Sequence, residues 1–239
     1  MVDIQDVYII SPHLDDAAFS IGGFLSYIKY SNIIIINVFS KSLYTISGVL
    51  SEEKVTNIRL KEDGIFCNKL GAKAIYLGYK DSSLKKFYEK EEDYLSPDLD
   101  VRVDPDWTLF SQTVIRIVRQ NIDNIFLFPL GIGNHIEHRA MTEIGLEMMK
   151  TSAKVAFYED GTYYKRKDEG VNIARKYNIK HYFEFKKIPI EKKIDIISVY
   201  TSQIDKEIIC NLRKMYYSQG EKIWAHKEVL DHLMLLVSQ

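Results

Sequence analysis

Two short segments of this 239-residue chain concentrate groups able to bind a metal ion. In Tyr8-Ile9-Ile10-Ser11-Pro12-His13-Leu14-Asp15-Asp16 an apolar run ends in one imidazole and two adjacent carboxylates. In His135-Ile136-Glu137-His138 two further imidazoles follow the apolar run Ile125-Phe126-Leu127-Phe128. Imidazole nitrogen and carboxylate oxygen are both good donors to a borderline divalent ion such as zinc, so the first segment reads as half of a metal site and the second as the source of its missing ligand. Taken alone, His-x-Asp-Asp is a helix start, with Asp15 or Asp16 capping free backbone N–H groups. The second His-rich turn favours a site, because in open α/β sheets the carboxyl ends of the strands share one crevice.

The elements that must position these groups follow from hydrophobic periodicity. Strand-like runs rich in β-branched residues lie at Val7–Ile10, Ile33–Phe39, Ala74–Leu77, Ile125–Phe128, Val155–Tyr158 and Tyr182–Phe185, with helical patterns between most of them. Near-continuous apolar strands alternating with helices predict a mainly parallel sheet covered on both faces, an α/β, Rossmann-like, doubly wound three-layer sandwich. The first helix follows the His13 turn and carries Phe19, Gly22, Gly23, Phe24 and Tyr27 towards the sheet. A second runs from Ser51 to Leu70 and stops at Gly71, and a third takes Asp104 as cap and Pro105 as its first residue. Helical patterns over Glu191–Ser202, Lys206–Tyr217 and Glu221–Val237 predict a C-terminal helical cluster. Residues 78–104 form a long polar and aromatic connection of the kind that rims binding sites, and residues 129–136 are too glycine-rich to extend a strand. No linker or repeat divides the chain, which reads as one domain over 1–239.

Composition narrows the function classes. The chain is 46% hydrophobic, ample for a packed core, and its 32 basic and 33 acidic residues leave a net charge of -1. No overall basic field attracts nucleic acid or an anionic membrane. The mixed-sign run Lys85–Asp93 reads as a solvated loop or frayed helix with no phosphate-binding role. Cys67 and Cys210 form no disulfide framework, the N-terminus shows no basic and apolar leader, and Ile33–Phe39 is too short to span a bilayer. A reducing, cytoplasmic location is expected. His181, His226 and His232 read as surface or packing histidines, and Trp107 and Trp224 as core or interface residues.

Several ordered motifs resemble the LmbE-like, or PIG-L, family of metal-dependent N-deacetylases. Ser11-Pro12-His13-Leu14-Asp15-Asp16-Ala17 is similar to its (A/S)-P-H-x-D-D or A-H-P-D-D-E motif, Arg59-Leu60-Lys61-Glu62 with Leu70-Gly71 to its R-x-x-E helix, Tyr76-Leu77-Gly78-Tyr79-Lys80-Asp81 to its L-G-x-x-D strand end. His135-Ile136-Glu137-His138-Arg139-Ala140 resembles H-P-D-H-R-A, and Tyr158-Glu159-Asp160 and Ser202-Gln203 resemble weaker later motifs. By themselves Tyr158 reads as packing and the two carboxylates beside it as solvated.

The resemblance implies His13, Asp16 and His138 as zinc ligands and Asp15 as the catalytic carboxylate. Three protein donors leave a coordination position for water, whose pKa the metal lowers towards about 7. Asp15 is then suited to take the water's proton and return one to the departing amine. His135 is the donor to the tetrahedral oxyanion, with a role as fourth metal ligand as the alternative. Glu137 stands in place of the family's usual aspartate and is expected to orient a histidine. Arg59 and Asp81 are implied substrate contacts; the alternatives are pairing of Arg59 with Glu62 or Asp63, and capping of Ser82-Ser83 by Asp81.

Three departures stand out: Ala17 replaces a frequent glutamate, Thr201 a frequent histidine, and Gly133 a tyrosine of some members, so that an additional hydroxyl donor to the oxyanion is either missing or supplied by Tyr79, Tyr163 or Tyr164. The implied function is removal of an N-acetyl or small N-acyl group from an amino sugar or its conjugate by a zinc-dependent hydrolase, with Fe2+ or another divalent ion as alternatives. Two competing readings are a metal-dependent amidase acting on a thiol conjugate or antibiotic-type precursor, and a Rossmann-like nucleotide-binding module. Gly22-Gly23 falls too late after the first strand to cradle a pyrophosphate. The C-terminal helices leave self-association open.

Overall fold

The computed structural model describes residues 5–29, 31–88, 90–161, 168–186 and 189–237. Seven strands form one sheet: β1 (Val7–Ser11), β2 (Ile33–Asn37), β3 (Lys73–Tyr76), β4 (Ile125–Pro129), β5 (Lys154–Tyr158), β6 (His181–Phe185) and β7 (Glu221–Ala225). Their order is β3-β2-β1-β4-β5-β7-β6, with the first five parallel and β7 antiparallel to both its neighbours. Side chains alternate faces along each strand, and in the central strands β1, β2, β4 and β5 both faces are covered, which is why these read as nearly unbroken apolar runs. Val7, Ile9, Ile33, Ile35, Ile125 and Leu127 join one core layer; Ile10, Ile34, Ile36, Phe126 and Phe128 join the other.

The first layer packs under α1 (Asp16–Leu25) and α2 (Glu52–Leu70), whereas α3 (Glu91–Tyr94) is a single turn in the long connection. The opposite layer packs under α4 (Trp107–Gln120), α5 (Ile136–Met149) and α6 (Glu169–Lys176). Helices α7 (Ile190–Ile197), α8 (Lys206–Gln219) and α9 (Lys227–Leu235) return to the first face. The doubly wound α/β sandwich expected from the periodicity is the fold observed. Ser51 caps α2 by accepting from the Lys54 N–H, and Gly71 ends it at φ +67°.

Two expected elements differ. Glu221–Ala225 is a strand, not the start of a helix. Gly220 ends α8 at φ +67°, and the residues that follow alternate between the two cores, Ile223 and Ala225 on one face, Trp224 on the other. A slot between β5 and β6 therefore overrides local helical preference. Helix α4 begins at Trp107, because Asp104 and Pro105 form a turn in which Asp104 Oδ1 accepts from the Asp106 N–H at 2.9 Å.

Helix α1 kinks at Ile21 (φ −129°, ψ 17°), freeing N–H groups that a buried carboxylate collects. Gly23 and Phe24 donate to Glu221 Oε1 and Oε2 at 2.9 and 2.6 Å. Lys193 completes the cluster, its Nζ lying 2.5 Å from Glu221 Oε1 and 2.7 Å from the Ala18 carbonyl.

Candidate active site

Strand order reverses at β1, since β2 lies on one side of it and β4 on the other, so the loops after β1 and β4 meet in one crevice. The β1 loop is fixed by its own hydroxyl: Ser11 Oγ donates to the His13 carbonyl at 2.6 Å and accepts from the Ala17 N–H at 3.2 Å. Tyr200 braces it from α7's end, its hydroxyl 3.0 Å from the Leu14 carbonyl. After β4, Gly131, Gly133 and Asn134 adopt left-handed backbone at φ +81°, +82° and +65°, which turns the chain into α5.

Asp15 occupies the cap position of α1 but makes no side-chain capping bond. Asp16 Oδ2 instead lies 3.0 Å from His13 Nδ1 and 3.1 Å from His138 Nε2, and those two nitrogens are 3.3 Å apart. A tetrahedral ion with bonds of about 2.0–2.1 Å needs donors roughly 3.3 Å apart, so this triangle of two nitrogens and one oxygen fits three ligands with a fourth position open. His135 stands wider: a ligand atom from each of His13, His135 and His138 lies within 4.8 Å of the others.

The far nitrogen of each imidazole in the triangle rests on a buried carboxylate. His13 Nε2 is 2.8 Å from Glu137 Oε2, and His138 Nδ1 is 2.5 Å from Asp160 Oδ1. Such pairs fix tautomer and ring plane and leave the opposite nitrogen's lone pair for a cation. Glu137 thus reaches a histidine despite its extra methylene. Asp160 corrects the solvated reading of this carboxylate: it is 1% exposed, and its second oxygen accepts from the Ile132 N–H at 2.9 Å. Lys85 corrects the reading of its charge run, being buried with Nζ 3.1 Å from Glu137 Oε1 and 2.6 Å from Asp104 Oδ2.

Burial raises the Glu137 carboxyl, but the bond from His13 and the Lys85 charge outweigh it and bring the group down to about 2. Burial lowers the His138 imidazolium, yet Asp16 and Asp160 hold it up at about 9. His135 moves the other way, held well below the usual histidine range by burial and by the neighbouring His13 charge. It is neutral, and its Nδ1 accepts from the Glu137 N–H at 3.3 Å, which places its proton on Nε2.

Arg59 links Asp15 to the remaining predicted residue. Its Nη2 donates to Asp15 Oδ1 at 2.9 Å and its Nη1 to Ser42 Oγ at 2.7 Å, with Asp81 Oδ2 at 3.8 Å. Asp15 and Asp81 are thus the carboxylates set against its guanidinium. Asp81 does cap the turn, accepting from the Ser83 N–H at 3.1 Å, while also facing Arg59. Burial lifts the Asp15 carboxyl above the usual range and Arg59 draws it partly back. Asp15, Arg59 and Asp81 line a cleft of about 310 Å³ together with His13, Asp16, His135, Phe19, Tyr44, Tyr94, Leu95, Ile208 and Leu212.

Tyr94 lies in the long connection expected to form a rim, its ring 5.1 Å from that of His135. No local pattern announced Ile208 and Leu212 on α8. Tyr79 is committed elsewhere, its hydroxyl 3.0 Å from Thr113 Oγ1, and Tyr163 and Tyr164 fall outside the described residues. Glu62 clasps the later motif, accepting from Thr201 Oγ1, the Ser202 N–H and Ser202 Oγ at 2.9, 2.8 and 2.6 Å.

The PIG-L family model, described as GlcNAc-PI de-N-acetylase, matches residues 8–149, more than half the chain and both histidine segments. The chain belongs to the PIG-L family. This PIG-L protein is 25% identical over 212 residues to 2'-N-acetylparomamine deacetylase of Streptomyces fradiae, a match covering 84% of this chain and 74% of that one. Its fold is similar to that of the zinc-inhibited form of teicoplanin deacetylase Orf2, with TM-score 0.69 and 18% identity over 92% of this chain and 97% of the other. It is also similar to N,N'-diacetylchitobiose deacetylase from Pyrococcus horikoshii, with TM-score 0.63 and 18% identity over 92% and 84%. Among the described residues no helix is long and apolar enough to cross a membrane.

Proposed function

We propose that this PIG-L protein is a metal-dependent deacetylase that hydrolyses the N-acetyl, or a small N-acyl, group of an amino sugar conjugate. The observation that carries the reading is the donor triangle of His13 Nδ1, Asp16 Oδ2 and His138 Nε2, with separations of 3.0–3.3 Å and a carboxylate behind each imidazole. These three residues would hold a divalent ion, for which the donor set suits zinc. A bound ion supplies Lewis acidity, which makes water a usable nucleophile near neutral pH.

The remaining work falls to side chains. Asp15 accepts the proton of the attacking water and returns one to the amine as the C–N bond breaks, and its burial-raised pKa suits both roles. Arg59 holds that carboxylate in place through the 2.9 Å bond. His135, neutral with its proton on Nε2, donates to the oxygen that becomes negative in the tetrahedral intermediate. Arg59 and Asp81 offer hydrogen bonds to sugar hydroxyls in the cleft.

Support for an amino sugar comes from the relatives named for acetylparomamine and diacetylchitobiose. The apolar part of the lining, from Phe19, Tyr44, Tyr94 and Leu95, suits a sugar carried on a larger, less polar group. Assaying acetate and primary amine release from a panel of N-acetylated amino sugars and glycoconjugates tests this, with and without a chelator. Release that survives complete metal removal, or no release from any member by metal-loaded protein, overturns it.

A further inference from the structure

Behind the donor triangle lies a second buried charge cluster that the chemistry above does not use. Glu137 is 1% exposed and spans it, with Oε2 on His13 Nε2 at 2.8 Å and Oε1 on Lys85 Nζ at 3.1 Å. The ammonium is itself fixed. Asp104 Oδ2 lies 2.6 Å from it and also accepts from the Tyr88 hydroxyl at 3.3 Å, while the Phe39 ring centroid is 4.7 Å from Nζ. A carboxylate held at one oxygen only can turn about its last bond; one held at both cannot. We propose that Lys85 is a positioning residue for the metal site, which by anchoring one oxygen of Glu137 keeps the other on His13 and so aims His13 Nδ1 into the donor triangle.

This inference rests on His13 being a ligand. It concerns Lys85, whose ammonium lies 3.1 Å from Glu137 Oε1, whereas the Arg59 guanidinium is directed at Asp15, Ser42 and Asp81. Nor does Lys85 line the cleft, so a substrate contact does not account for it.

The test is a double-mutant cycle read as zinc affinity, measured by competition with a chromogenic chelator on purified full-length protein. Lys85→Met keeps the aliphatic stem and removes the anchor; it should weaken zinc about 10–100-fold, the usual cost of losing a group that orients a ligand. Glu137→Gln should cost a similar factor, and Lys85→Met/Glu137→Gln should be no weaker than Glu137→Gln alone, since both act through one contact. Should Lys85→Met fail to fold, Lys85→Met/Asp104→Asn removes one charge of each sign and should show the same loss. A folded Lys85→Met protein binding zinc within twofold of the parent overturns the proposal while leaving the metal site intact, as do strictly additive losses. A parent that takes up no zinc, cobalt or iron overturns the metal reading, and this inference with it.

Discussion

Replacing Asp15 by Asn separates the two things this carboxylate does. The amide has nearly the same shape and keeps an oxygen for Arg59 Nη2, now 2.9 Å from Oδ1, but it carries no charge and cannot take a proton. Asp15 is not part of the donor triangle, so metal content should match that of the parent. A positioned general base is worth about 10²–10⁴ in rate, which at about 1.36 kcal/mol per decade is about 3–5 kcal/mol of barrier. The expected result is a fall in kcat of that size, measured by amine release, at full metal occupancy by inductively coupled plasma mass spectrometry. Asp15→Ala is the control: it also strips Arg59 of its nearest anion and should cost about 3–5 kcal/mol of stability. Turnover by Asp15→Asn within threefold of the parent refutes the role as base, and loss of its metal makes Asp15 a ligand instead.

Asp160→Ala removes the carboxylate that rests on His138 Nδ1 and should weaken metal binding about 10–100-fold, checked by chelator competition. Gly145 on α5 has no room for a side chain, since a Cβ there would lie 2.8 Å from both Phe128 Cγ and Phe157 Cε1. Gly145→Ala should lower stability by about 1–3 kcal/mol despite a better helix former, seen as a Tm lower by about 2–10 °C. Burial lifts the fully enclosed Asp63 carboxyl from 3.8 to about 6, against the hydrogen bonds from Tyr76, Tyr200 and Cys67. The unfolded chain therefore releases this proton first as pH rises, and the contribution to stability present below pH 3.8 is lost by the time pH passes about 6. The stability difference between parent and Asp63→Asn should shift against the parent by about 3 kcal/mol from pH 3.5 to 7, read by urea unfolding; a pH-independent difference contradicts this.

The centre of the sheet was legible because its strands are buried on both faces, which leaves nearly continuous apolar runs such as Ile33–Asn37. Both histidine segments were legible for a related reason, each following a strand that had to end at the same edge. What local pattern could not reveal is burial conferred from a distance. Lys85 sits in a stretch of mixed charge that reads as solvated, and its partner Glu137 is 52 residues away. Asp160 looks like any carboxylate after a strand until the loop carrying Ile132 closes over it. Asp104-Pro105 matches a helix start in type and order, yet Lys85 and the Asp106 N–H claim its oxygens, and the helix opens at Trp107. Glu221-Lys222-Ile223-Trp224-Ala225 lacks a clear alternation and took the period of the helix beyond it; only the gap between β5 and β6 makes it a strand.

Glu221 has a bearing on how such proteins can be recombined. The family match stops at residue 149, which invites a crossover there to exchange the downstream portion between relatives. Yet the helix that begins with Asp16 is stitched at its midpoint to a strand starting more than seventy residues past that boundary, and His138 leans on a carboxylate eleven residues past it. A hybrid that omits a counterpart of Glu221 or Asp160 keeps His13, Asp16 and His138 and loses the contacts that hold α1 and His138 in place. Under the proposed function, changes meant to alter the acceptor are therefore better confined to the cleft lining, such as Ile208 and Leu212 on α8, than to these long-range contacts.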